Sequence, residues 1–165
     1  MNIFVTDKCP IKSAKFLDNK RVVKMCLETA QMLCTALNEL AGEQVAPYKS
    51  THKNHPCNVW ARESSENWGW LFIHGIALCR EYTRRYGKVH ACEAKYMELL
   101  NIVKEDMFPY NELTPFANCA RNNSLNIDYT QQKDVHLAYM MYLNDRWDTD
   151  KREPEWECKI NYKKA

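Results

Sequence analysis

The sequence of 165 residues has only four glycines, and it lacks phosphate-cradling loops such as GxGxxG and GxxxxGK[ST]. Nucleotide-binding folds that are built on these loops therefore have little support. Alternating runs of Val, Ile and Thr are also missing, which argues against a sandwich or a barrel. No stretch approaches 18 apolar residues and no secretory signal pattern opens the sequence, so we expect a cytoplasmic protein without a membrane span.

The sequence has no large excess of charge of either sign. It has 23 Lys and Arg against 21 Asp and Glu, a formal net charge of +2, so nucleic-acid binding would have to depend on local basic patches. Eight cysteines form no CxxC pair, which predicts reduced thiols rather than a disulfide framework. A hydrophobic fraction of 45% and a charged fraction of 27% are ordinary for a globular protein, so we expect a single domain over residues 1–165.

Helical periodicity dominates the chain. Apolar residues at three- and four-residue steps predict two long helices, 13–40 and 64–86. Weaker patterns predict two shorter helices, 91–103 and 131–143. Gly42 and Gly87 are the stop signals of the long helices. A short extended segment precedes Pro10, and the tail 148–165 is charged and irregular. The predicted fold class is mostly α, a compact single-domain bundle of two long helices with shorter ones.

The first long helix has a polar stripe at steps of three and four residues: Arg21, Lys24, Glu28, Gln31 and Thr35. One interpretation is a solvated face, on which Lys24 and Glu28 form a surface pair that contributes about 0.2–0.5 kcal/mol. The other interpretation is functional. A carboxylate held among cations at the mouth of a groove could act as an acid, a base or an electrostatic stabiliser.

The loop between the long helices is dense in imidazoles and hydrogen-bond donors: His52, Lys53, Asn54 and His55. These side chains could donate to a phosphate or a base edge, or they could form an ordinary polar loop. A metal site of His52, His55 and Cys57 is a further interpretation. Its spacing matches no standard zinc signature and it would need His90 or Cys92 as a distant fourth ligand, so we expect no metal.

The second long helix ends in a basic segment that includes Arg84 and Arg85. Cations at a helix C-terminus interact favourably with the helix dipole and need no ligand. The functional interpretation is contact with phosphates. Tyr82 and Tyr86 could stack on bases, although their helical spacing is more typical of a core.

The combined pattern resembles the pyrimidine-dimer DNA glycosylase family, the endonuclease V type of phages and bacteria. The matching segments, in chain order, are Leu17 to Lys24 followed by Glu28 and Gln31, then Asn54-His55-Pro56 with Trp60, and finally Cys79 to Tyr86. Together they cover about the first half of the chain. Their order and spacing, rather than any single motif, support the resemblance.

The resemblance implies a compact helical fold that binds kinked duplex DNA and flips a nucleotide out of the stack. A free N-terminal α-amine, of Met1 or of Asn2 if Met1 is removed, would attack the sugar C1′, displace the base and form a Schiff base that leads to strand cleavage. Glu28 matches the essential carboxylate. The implied partner is double-stranded DNA with a damaged or modified pyrimidine, bound by a monomer without a cofactor, in the host cytoplasm if a phage encodes it.

The residues expected to contact DNA are Arg21, Lys24, Gln31, His52, Lys53, Asn54, His55, Arg84 and Arg85. Two features depart from the family. Asn2 disfavours removal of Met1. Two arginines of the family's catalytic helix correspond to Leu27 and Gln31 in this sequence. These departures affect the specificity for pyrimidine dimers more than the fold. A non-catalytic nucleic-acid- or nucleotide-binding protein on the same scaffold is the alternative, and a metal-dependent hydrolase that uses the histidine loop is a third hypothesis.

Overall fold

The structure, a computed structural model, describes residues 1–151 and 154 and is mostly helical. Its α-helices are α1 Pro10–Phe16, α2 Asn19–Ala41, α3 Pro56–Glu63, α4 Ser65–Tyr86, α5 Glu93–Leu99 and α6 Val135–Thr149. Short 3-10 helices span Glu105–Met107 and Asn123–Leu125, and β1 Arg121–Asn122 pairs antiparallel with β2 Ile127–Asp128. The predicted mostly α fold class is confirmed.

The two long helices α2 and α4 pack against each other at the centre of the fold. The predicted apolar stripe of α2 is buried at Val22, Cys26, Ala30, Leu33 and Leu37 and half-buried at Leu40. The helix packs on α4, where Trp68, Leu71, Leu78 and Cys79 are buried. This packing confirms the predicted association of the two helices. Among the described residues, no helix has the length and apolar character needed to cross a membrane.

The first predicted helix, 13–40, is interrupted at Leu17 and Asp18. Asp18 has an extended backbone, and its carboxylate accepts a hydrogen bond from the Arg21 N–H at 3.1 Å. An aspartate in this position satisfies a free N–H of the first turn, so it favours a new helix start. The helix α2 therefore begins at Asn19, and it ends at Ala41, before Gly42, whose φ of 73° is left-handed.

The helix α3 occupies a segment that the periodicity assigns to the loop. His55 Nδ1 accepts a hydrogen bond from the Cys57 N–H at 3.2 Å, and Pro56 occupies the first helical position, where its missing N–H has no cost. Ser64 then breaks the helix and caps α4, because its hydroxyl accepts from the Glu66 N–H. These caps place α3 and α4 in succession.

The C-terminal helices also differ from the prediction in their bounds. The helix α5 is shorter than the predicted 91–103. The helix α6 begins after Asp134, whose carboxylate accepts from the N–H groups of His136 and Leu137, and it continues to Thr149 in the segment expected to be irregular. Most of the predicted tail lies outside the described residues.

The helix α6 packs against the N-terminal segment and the start of α2. Trp147 Nε1 donates to Asp18 Oδ2 at 2.8 Å, and His136 Nδ1 donates to the Val5 carbonyl at 3.0 Å. These two bonds tie both ends of α6 to the N-terminal half of the chain. They hold α6 against the N-terminal segment and α2, and residues of all three elements line one cavity.

Candidate functional site

A cavity of about 320 Å³ lies where the N-terminal segment, α2 and α6 meet. The helix α2 contributes Lys20, Arg21, Lys24 and Glu28 to its wall, and the N-terminal segment contributes Met1, Asn2 and Phe4. His55 reaches it from the loop before α3. Met1, Asn2, Arg21, Lys24, Glu28 and His55, all predicted from the sequence as site residues, therefore share one cavity.

Glu28 holds two cations at this cavity. The N-terminal nitrogen of Met1 lies 3.8 Å from Glu28 Oε2, and Lys24 Nζ lies 2.8 Å from Glu28 Oε1. The side chain of Glu28 is 17% exposed. A solvated i,i+4 pair alone does not describe this carboxylate, since it also faces the chain terminus from a partly enclosed position.

The side chain of Asn2 fixes the turn that brings Met1 to this position. Its Oδ1 accepts from the Ile3 N–H at 2.8 Å and from the Phe4 N–H at 3.4 Å, and its Nδ2 donates to the Cys119 carbonyl at 3.0 Å. Asn2 therefore joins the N-terminal turn to a segment distant in the sequence. The side-chain amide of Asn2 thus orients the N terminus through its hydrogen bonds to the backbone.

Phe4 completes the same turn. Its φ of 55° lies in the left-handed region, which is unusual for a bulky side chain. Its ring packs parallel to Tyr142 at a centroid distance of 6.0 Å and edge-on to Tyr139 at 6.1 Å. These ring contacts help to offset the strain, and they place an aromatic surface on the cavity wall.

Asn58 of α3 contacts Met1 and ties it to the preceding loop. Asn58 Nδ2 is 2.9 Å from the carbonyls of Thr51 and His52 and 3.2 Å from Met1 Sδ. Burial lowers the pKa of His55, and the nearby N-terminal ammonium and His52 lower it further, so the ring is neutral at pH 7. Because a backbone N–H donates to Nδ1 of His55, its proton is on Nε2.

Carboxylates neutralise two of the cavity's cations. Arg21 Nη1 lies 2.6 Å from Asp18 Oδ2 and 3.1 Å from Asp150 Oδ2, and Lys20 Nζ lies 3.3 Å from Asp150 Oδ1. Burial opposes ionisation of Asp150, but Arg21 and Lys20 outweigh it and hold the pKa of Asp150 below its usual value. Arg21 thus also has a structural role, since it joins α2 to the end of α6.

The other residues predicted to contact DNA do not line this cavity: Gln31, His52, Lys53, Asn54, Arg84 and Arg85. Gln31 is half-buried on α2, while His52 and Asn54 are exposed in the loop. Lys53 Nζ lies 3.5 Å from Glu39 Oε2, beside a separate surface depression. Their assignment to DNA stays a prediction.

Arg84 and Arg85 differ in their surroundings. The Arg85 side chain is 6% exposed, and its Nη1 donates to the Leu17 carbonyl at 2.7 Å and to Asn19 Oδ1 at 3.0 Å. The Arg84 side chain is 41% exposed, and its Nη2 lies 2.8 Å from Glu81 Oε2. Arg85 ties the end of α4 to the start of α2, whereas Arg84 is accessible at the surface.

Cys119 adds a thiol to the cavity wall. A hydrogen bond from the Cys57 thiol lowers the pKa of Cys119 to about 7, and the same bond together with burial raises the pKa of Cys57. Ligand atoms of His55, Cys57 and Cys119 lie within 4.8 Å of one another. The hypothetical metal site from the sequence consisted of His52, His55 and Cys57, whereas in the structure Cys119 takes the place of His52. His90, the suggested fourth ligand, lies close to Cys26 and Cys79 instead.

Sequence reasoning missed the cavity residues of the C-terminal half. They come from the segment around β1 and from α6: Cys119, Arg121, Asn122, Tyr142 and Arg146. No local motif marks them. They reach the cavity because α6 is tied to Asp18 and Val5, contacts between residues far apart in the sequence.

A family model described as pyrimidine dimer DNA glycosylase matches residues 1–94. The match includes Met1, Glu28 and His55, but not the cavity wall that β1 and α6 supply. No curated protein and no solved structure matches the chain.

Proposed function

The chain belongs to the pyrimidine dimer DNA glycosylase family, and from this premise we propose that it excises a damaged or modified pyrimidine from duplex DNA. The observation that supports the proposal most is the distance of 3.8 Å between the N-terminal nitrogen of Met1 and Glu28 Oε2. An amine and a carboxylate at the wall of one cavity are the two groups that the chemistry requires.

In the proposed reaction, the neutral α-amine donates its lone pair to C1′ of a flipped nucleotide. The base leaves with the electrons of the glycosidic bond and takes a proton from solvent. The sugar ring then opens: the nitrogen lone pair, freed by loss of a proton, forms the C1′=N bond, while the C1′–O4′ bond breaks and O4′ takes up its electrons and a proton. The product is a protonated Schiff base. Glu28 stabilises the positive charge that develops on the sugar and then on the iminium. Elimination of the 3′ phosphate from this intermediate would add AP-lyase activity.

We assign the nucleophile to Met1 rather than to Asn2. The Met1 side chain is only 4% exposed, and its sulfur contacts Asn58 Nδ2. Removal of Met1 would transfer the terminal amine to Asn2, one residue farther along a turn that the Asn2 side chain itself holds. The contact with Glu28 described above belongs to the Met1 nitrogen.

The proposed DNA contacts divide into two groups. Arg21, Lys24 and His55 line the cavity, so they would contact the flipped nucleotide or its phosphates. The remaining residues lie outside it, and five of them would follow the flanking backbone: Gln31, His52, Lys53, Asn54 and Arg84. Such contacts fix the register of the protein on the duplex and do not read the base. Arg85 is only 6% exposed and bonds the Leu17 carbonyl and Asn19, so its contribution would be to hold the end of α4 that carries Arg84.

The substitution Glu28→Gln tests the proposal, because it retains the shape of the side chain and removes its charge. We expect single-turnover excision on a UV-irradiated duplex to fall by about 10²–10³, as for other preorganised electrostatic groups. Glu98→Gln is the matched control, since Glu98 pairs with Lys95 on the exposed face of α5. Thermal melts of both variants check the fold.

Equal excision rates for wild type and Glu28→Gln would overturn the assignment of Glu28. A wild-type protein that binds the lesion duplex but excises no base would instead support the non-catalytic alternative. The first result concerns the role of Glu28, whereas the second concerns whether the wild type has the activity at all.

A further inference from the structure

Part of the cavity wall comes from residues outside the family match. The helix α6 supplies Tyr142 and Arg146, and β1 supplies Arg121. The matched range, residues 1–94, ends before all three. The family match therefore assigns no role to this side of the cavity.

Arg146 differs from the other cavity cations in its surroundings. Lys24 is paired with Glu28, and Arg21 with Asp18 and Asp150. Arg121 lies 3.7 Å from Asp128. The half-buried Arg146 guanidinium, by contrast, has no hydrogen bond or ion pair with any residue in the described part of the chain.

The position of Arg146 is fixed by its neighbour. Trp147 donates to Asp18 Oδ2 at 2.8 Å, and its ring packs on Phe16 at a centroid distance of 5.8 Å. Tyr142, one turn earlier on α6, packs on Phe4. Arg146 therefore projects from an anchored helix end, beside an aromatic surface.

An unpaired guanidinium at the wall of a cationic cavity favours an anion. Guanidinium groups bind phosphate oxygens through two parallel hydrogen bonds, which a lysine cannot reproduce. Arg146 also lies in the last turn of α6, where a cation interacts favourably with the helix dipole. The Arg146 side chain lines the cavity, and the interaction with the helix dipole does not require this position.

We propose that Arg146 binds a backbone phosphate next to the target nucleotide, while the Phe4–Tyr142 pair contacts the sugar of that nucleotide. This inference rests on the proposed function and adds to it a phosphate contact from the C-terminal half. The cavity volume of about 320 Å³ is near the lower limit of small-molecule sites, about 300–1,000 Å³, which suits one nucleotide.

The test compares wild type, Arg146→Gln and Arg146→Lys on a duplex that contains a tetrahydrofuran abasic analogue. We expect Arg146→Gln to weaken binding about tenfold, as for loss of one charge-assisted contact. Its salt slope should fall by about 0.9, whereas Arg146→Lys should retain the slope. Lys104→Gln, an exposed change of equal charge, is the control and should bind as wild type does.

Wild-type affinity and salt slope in a folded Arg146→Gln variant, as checked by thermal melts, would overturn the phosphate contact. Arg146-dependent binding of thymidine 5′-monophosphate that is tighter than binding of the duplex would also overturn it, since the phosphate would then belong to a free nucleotide. Failure of the proposed function has a different result. The wild type would form no borohydride-trapped adduct, while the effect of Arg146 on duplex binding remained.

Discussion

At the scale of single residues, Asn2 connects the amino terminus to the rest of the cavity. We predict that Asn2→Ala slows Schiff-base formation by about tenfold to a hundredfold, because small displacements of a reacting group are costly. Duplex affinity should change little, since the substitution removes no charge. Single-turnover trapping on abasic DNA measures the rate, and Asn111→Ala, at an exposed position, is the control. An unchanged rate would show that Asn2 does not position the amine.

His74 gives the fold a pH dependence. Its ring is fully buried on α4, Nδ1 donates to the Pro10 carbonyl at 3.0 Å, and burial lowers its pKa from 6.5 to about 4. Below pH 6.5 the unfolded chain takes up a proton that the folded chain takes up only near pH 4. Stability is therefore lost as the pH falls through this window, by about 2 kcal/mol between pH 7 and pH 5.

Urea unfolding at pH 7 and pH 5 measures this loss, and His74→Gln should reduce it. The pKa values of His55 and His90 are also lowered by burial, so they contribute a loss of the same sign that remains in the variant. An equal loss in wild type and variant would contradict the assignment to His74.

At the scale of helices, Gly75 permits the close approach of α4 and α5. A Cβ at this position would overlap the ring of Tyr96, whose hydroxyl donates to the Cys26 carbonyl at 2.8 Å. We predict that Gly75→Ala destabilises the protein by about 1–3 kcal/mol, as overpacked substitutions do. Gly69→Ala, on the same helix and in open space, should instead stabilise it by up to about 1 kcal/mol. Equal thermal melts would contradict this packing.

The sequence predicted the helices whose apolar stripes are long, α2 and α4, because burial of such a stripe determines the fold locally. It did not predict the break at Asp18 or the start of α3 at Pro56, where capping groups override the periodicity. The resemblance led to Glu28 and Met1 as candidate catalytic residues; they line one cavity, and their catalytic roles stay predictions. The sequence did not predict Arg146, because only the packing of α6 on the N-terminal half brings that side chain to the cavity.

At the scale of the whole molecule, duplex affinity should fall steeply with salt, by a slope of about 0.9 for each phosphate contact. Combined Arg84→Gln and Arg85→Gln should flatten the slope. Because Arg85 bonds the Leu17 carbonyl and Asn19, the double variant should also melt at a lower temperature than Arg84→Gln alone, which loses only the contacts of Arg84. Filter-binding assays that measure duplex affinity between about 50 and 200 mM salt test this prediction. Affinity that is independent of salt would contradict it.

The proposed function requires that the α-amine beside Glu28 be the nucleophile. Two amines contact this carboxylate, the N-terminal nitrogen at 3.8 Å and Lys24 Nζ at 2.8 Å, so the claim requires that they be distinguished. Borohydride reduction during incubation with an abasic duplex, followed by proteolysis and mass spectrometry of the linked peptide, does so. We predict a covalent adduct on the α-amine of Met1, which persists in Lys24→Gln. No adduct with the wild type, or an adduct on Lys24, would contradict the claim.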